Sequence, residues 1–147
     1  MDDPGPFQLT MGGNAFSVVN AGTLIGDWIE GFSGLFTATF QAQFIFGAGS
    51  GTINVYIQTS IDQGQTPVDI AAFGFATTNA TQLVTLSGVS LRIPGFTPPN
   101  PFLTPTQQGL ATGSCNDGIL GDRFRAVVVS TGSYSNSTLV NVTGVAR

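Results

Sequence analysis

The stretch LFTATFQAQFIF, Leu35 to Phe46, constrains the fold more than any other part of the chain. Phe36, Ala38, Phe40, Ala42, Phe44 and Phe46 fall on one side of a period of two, and Thr37, Thr39, Gln41 and Gln43 fall on the other. Alternation over a full strand length predicts a β-strand with one dry and one wet face. The wet face carries hydroxyls and amides but no charge.

The same period returns along the chain. Ile53, Val55 and Ile57 alternate with Asn54, Tyr56 and Gln58; Val68 to Ala76 follows, and TQLVTLSGVSLRI, Thr81 to Ile93, reads as one long strand or two short ones. Asp122 to Thr131 and Thr138 to Ala146 form a pair joined by GSYSN, a run of turn residues. Upstream, AFSVVN and TLIGDWIEGF add one or two strands, although GTLIGDWIEGF is the one place where a short helix competes. Gly, Thr, Val, Ile and Phe disfavour helices elsewhere. About eight short antiparallel strands in 147 residues predict an all-β, two-sheet sandwich of jelly-roll-like type, with strand order left open. The sandwich spans residues 15–147 and is preceded by an extended arm, residues 1–14. A loop from Pro94 to Gly118, holding five of the eight prolines, has neither strand nor helix period. Long loops of that kind are usually functional, packed against a partner or against the domain's own flank.

Composition narrows the chemistry. The chain has no His and no Lys; its fixed cations are Arg92, Arg123, Arg125 and Arg147, and its formal net charge is −4. Without His it lacks the commonest general base and the usual zinc ligand. Four arginines on an acidic chain do not make a nucleic-acid footprint. Cys115 is alone, so no internal disulfide forms and no cysteine zinc site exists within one chain. The sequence contains no apolar run of membrane-spanning length, and MDDPGPFQLTMGG does not read as a secretory signal. Neither membrane nor nucleic acid is therefore expected as a partner, and no cofactor is expected.

Carboxylate chemistry is what remains. SIDQGQTP, from Ser60, resembles the Asp-box, a turn of sialidases and other β-rich proteins: Ser60, Asp62, Gly64 and Thr66 match, but Pro67 stands where an aromatic usually follows. Side-chain oxygens that accept turn N–H groups, with a glycine free to take positive φ, explain those residues without any ligand. A glycosidase needs two facing carboxylates. The candidates are Asp27 with Glu30, which flank Trp28, and Asp62 with Asp69 across one hairpin, but solvated strand ends produce such pairs routinely. Asn116, Asp117 and Asp122 bracket a turn whose oxygens would suit calcium, although the spacing is not that of an EF-hand. Arg123 and Arg125 share a face by the period of two, a small positive stripe able to pair with Asp122 or dock on an acidic surface. On balance the chain reads as a non-enzyme.

WIEGFSGLFTATF, VYIQTSIDQGQT and GILGDRFRAVVVSTGSY together resemble small virion structural proteins of tailed bacteriophages and prophages, over most of Asp27 to Arg147. The resemblance implies a β-sandwich that decorates the capsid or sits in the neck, tail or baseplate, and it brings no catalytic residues. The polar strand faces, poor in charge, suit burial against neighbours. The expectation is a capsid decoration or cement protein, located in the virion and homo-oligomeric, that binds the major capsid protein or other virion proteins. Pro98, Pro99, Pro101, Phe102, Pro105, Arg123 and Arg125 are its candidate partner contacts. The rival reading is a module that binds host glycans through Trp28, Tyr56 or Tyr134.

Overall fold

The computed structural model describes residues 5–88 and 104–147. Twelve strands are found among the described residues, and no helix: β1 (Pro6–Leu9), β2 (Phe16–Ser17), β3 (Gly22–Ile25), β4 (Ile29–Glu30), β5 (Thr37–Ile45), β6 (Ala48–Gly49), β7 (Ile53–Ser60), β8 (Val68–Phe75), β9 (Ala80–Ser87), β10 (Arg123–Ser130), β11 (Tyr134–Ser135) and β12 (Leu139–Ala146). Two larger sheets face each other. Sheet I has the order β1-β12-β5-β9, with β2 also on β12; sheet II has the order β3-β10-β7-β8, with β4 also on β10. The short β6 and β11 form a third ribbon.

β1 and β2 pair with successive stretches of β12, and β3 and β4 with successive stretches of β10, so each couple is one interrupted strand. With β6 and β11 set aside, eight principal strands remain. The first pairs antiparallel with the eighth, the second with the seventh, the third with the sixth and the fourth with the fifth. That is one long hairpin. It is rolled so that β12 also pairs with β5, and β10 with β7. The chain is a jelly roll, with the Ser60–Pro67 turn at the tip of the parent hairpin.

The alternation in Leu35–Phe46 locates the core. Ala38, Phe40, Ala42 and Phe44 are buried from sheet I, facing Ile53, Val55, Ile57, Phe124, Ala126 and Val128 of sheet II. Two ring clusters join the layers: Phe40 lies 5.2 Å from Phe124, and Phe44 lies 5.3 Å from Phe75, centroid to centroid. Each buried ring removes enough apolar surface to contribute roughly 2–3 kcal/mol. Gly144, on the inward side of β12, makes room for this packing, since a Cβ there would lie 2.6 Å from the Phe7 ring.

Two expectations change. Within the expected extended arm, residues 1–14, the segment Pro6–Leu9 is an edge strand of sheet I and Leu9 is in the core. The alternating strand also begins later than its pattern: Phe36 precedes β5 and is 67% exposed. TLIGDWIEGF forms two short strands, so the competing helix does not appear.

Candidate functional site

The outer faces of the two sheets are built differently. On sheet II the outward side chains of β7 and β8 should meet solvent by the period of two, yet β7 and β8 are buried along nearly their whole length. The cover is residues 104–118. This segment hydrogen-bonds along the edge of β8, from Asp69 N–H to the Thr106 carbonyl through the Ala71–Cys115 bridge to Asn116 N–H on the Ile70 carbonyl. Leu110 then lies over Tyr56, Ala72 and Val127, an apolar cluster on the outside of the sheet.

Asp69 anchors that cover. Between Ile57 and Gln58 of β7 the register on β8 jumps from Ala71 to Asp69, leaving Ile70 as an extra residue in a β-bulge. Strict alternation counted from the outward Ala72 would aim Asp69 into the core. The bulge instead sets it on the outer side, beside Gln58. Its carboxylate is fully buried and accepts four hydrogen bonds, from Gln58 Nε2 (2.8 Å) and the successive backbone N–H groups of Gln108 (3.0 Å), Gly109 (2.8 Å) and Leu110 (3.1 Å). Gln108 adopts φ 64°, which turns consecutive N–H groups toward one anion, as in a nest. The network continues outward. Arg125 donates through Nε to Gln58 Oε1 at 2.8 Å, and its guanidinium lies 4.6 Å from the centroid of the Trp28 ring. Burial lowers the pKa of Arg125 from its ordinary value.

Trp28 also closes the Asp-box-like turn. Gly64 has φ 87°, and a Cβ there would lie 3.1 Å from the indole nitrogen. An aromatic from a distant strand connection thus packs on the turn, where Pro67 replaces the aromatic in sequence. Within the turn, Ser60 Oγ donates to Asp62 Oδ1 (2.7 Å) and accepts from Gly64 N–H (2.9 Å), while Thr66 N–H donates to Asp62 Oδ1 (2.7 Å). Hydrogen bonds from Thr66, then Ser60, lower the Asp62 pKa to about 2.

The other candidates are placed as follows. Pro98, Pro99, Pro101 and Phe102 lie outside the described residues. Pro105 is exposed at the side of a cleft near the Asp62 turn. Arg123 and Arg125 are no open positive stripe. Arg123 pairs with Asp122 (3.0 Å) and Glu30 (2.9 Å), and Arg125 is committed to Gln58 and Trp28. Tyr56 is under the 104–118 cover, and Tyr134 is in the core with its hydroxyl on the Ala76 carbonyl. Trp28, Tyr56 and Tyr134 therefore do not share a stacking surface. Asp27 accepts from Gly12 N–H, and Asp69 is spent on the loop. Asn116 bonds to the Asp69 carbonyl, Asp117 to Ser87 N–H and Asp122 to Arg123, so the three do not converge on one point.

Sheet I is the contrast. Among the described residues its strands carry no ionisable side chain on either face. Its outer surface is a field of amides, hydroxyls and aliphatic groups: Thr39 opposite Thr85, with their hydroxyls 3.0 Å apart, Gln41 opposite Leu83, and Gln43 opposite Asn141. Leu83 is 64% exposed in that field. No layer like the 104–118 segment covers it among the described residues. The period of two indicates the outward residues but not that, among the described residues, every strand charge lies in the other sheet.

Compared with known proteins, the sequence matches no family model, and no curated protein or solved structure is significantly similar to it.

Proposed function

We propose that this chain is a structural protein of a tailed-bacteriophage virion, a capsid decoration or cement protein whose sheet I face lies against the major capsid protein. One observation carries the reading: among the described residues the outer face of sheet I is uncovered, and its strands carry no ionisable group. Charge left unpaired in an interface costs several kcal/mol, whereas Thr, Gln and Asn can exchange water for hydrogen bonds across it. Depletion of charge is also what distinguishes interface centres from ordinary surface. The jelly roll is common among capsid and lectin domains, which is compatible with this reading but does not by itself decide function. The burial of Tyr56 and Tyr134 favours the structural reading over glycan recognition.

The experiment is a protein inventory of virions purified from cells that express the chain, followed by their reconstruction. Copies arrayed over the shell with sheet I against the capsid lattice are the expected result. A single ring at one vertex would move the protein to the neck or tail, and its absence from purified virions would end the proposal.

A further inference from the structure

We propose that the end of the sandwich around Ile61 docks an extended segment of a partner protein, one with two aliphatic side chains at positions i and i+2 flanked by basic residues. This surface is separate from the outer face of sheet I.

Ile61 sits at the tip of the parent hairpin and is 81% exposed. A lone exposed isoleucine is ordinary. Here, however, it forms a ridge between two depressions. On one side lies a cleft of about 440 Å³ walled by Val68, Pro105 and Ile119; on the other lies a hollow of about 320 Å³ against Phe32 and Leu120. Each has room for an aliphatic side chain. An extended chain places side chains i and i+2 on one face roughly 7 Å apart, so it can seat one on each side of a single ridge residue. The ridge is held in position, because Ser60 and Asp62 on either side of Ile61 are locked together by the turn's hydrogen bonds. Such preorganisation lowers the entropic cost of binding.

The rim selects the charge of the occupant. Asp62 lines the cleft and Asp122 the hollow. Together with Glu30 they surround Arg123, so among the described residues three carboxylates face one guanidinium, an excess of two negative charges. The Glu30 and Asp122 side chains are 61% and 52% exposed, open to a cation from outside. A segment with arginine or lysine beside its aliphatic pair satisfies both features, and an acidic one is repelled.

The test uses fluorescein-labelled peptides GRLSLRG, GELSLEG and GRSSSRG, titrated with the full chain and followed by anisotropy. GRLSLRG should bind saturably, with the acidic and the serine analogues each about tenfold weaker or worse. Ile61→Lys should abolish binding; at 81% exposure the side chain contributes little to the core, so the fold should be kept, and a melting curve checks this. The double variant Glu30→Gln/Asp122→Asn should weaken GRLSLRG about three- to tenfold and flatten its salt dependence. Equal binding of GRLSLRG and GELSLEG, no binding of GRLSLRG, or binding to Ile61→Lys as strong as to the wild type would overturn the assignment.

Discussion

The two sheets of this jelly roll share a core but treat their outer faces in opposite ways. Sheet II carries the strand charges, Glu30, Asp69, Arg123 and Arg125, and resolves them internally through ion pairs, an amide relay and a loop folded over the top. Sheet I carries no strand charge and has no such cover among the described residues. A buried carboxylate needs its own donors from the same chain, and the Gln108–Leu110 turn supplies them. An uncharged face needs none, so it can be left for another molecule to cover. In a chain with only 8% charged residues, the ionisable groups of the described strands are confined to one sheet and missing from the other.

The largest expected effect falls on the covered face. Asp69→Ala leaves three backbone N–H groups and the Gln58 amide without their acceptor, and should cost about 3–5 kcal/mol in urea unfolding. Gln41→Ala on the open face should stay within about 0.5 kcal/mol. A small cost at Asp69 would break the comparison, because the cover would then not depend on its anchor.

Leu110→Ser sharpens it. Loss of the apolar contact with Tyr56, Ala72 and Val127 should cost about 1–2 kcal/mol and speed amide exchange across residues 104–118 ahead of the core. Arg125→Lys keeps the charge but loses the planar stack on Trp28 and the Nε bond to Gln58. About 1 kcal/mol of stability is expected to go, read from the same unfolding curves.

The smallest effect is a pH dependence at the hairpin tip. The folded-state pKa of Asp62 is about 2 against an ordinary 3.8, so its contribution is present above the ordinary value and lost as pH falls from 3.8 through about 2. Asp122, lowered by its hydrogen bond to Arg123, adds slope in the same direction. Acid melts of Asp62→Asn should therefore lose part of the wild-type decline in that window. An unchanged slope would show that the turn bonds do not hold the carboxylate ionised.

Much of the fold could be read in the sequence because burial imposes a period of two. Ala38, Phe40, Ala42 and Phe44 point inward as the alternation requires, and Asp122 and Arg123 pair at the start of a strand. The sandwich follows from such segments. What periodicity does not encode is whether an outward face is covered, so Tyr56 reads as wet although Leu110 lies on it. A bulge is equally silent. One extra residue at Ile70 reverses the direction of Asp69, and no residue in VDIAAFGF marks it. The packing of Trp28 on Gly64 joins parts of the chain far apart in sequence, and only the rolled hairpin brings them together.

The most direct measurement is binding of the purified protein to virions stripped of it, wild type against Gln41→Lys/Thr143→Lys, two lysines set side by side on the open face of sheet I. The account predicts that melting of the variant falls only slightly, by the repulsion of two opposed lysines worth about 1 kcal/mol or less, while affinity for the particle drops about 100-fold or more, since charge would enter an interface that has no partner for it. Equal binding of the two proteins would contradict it.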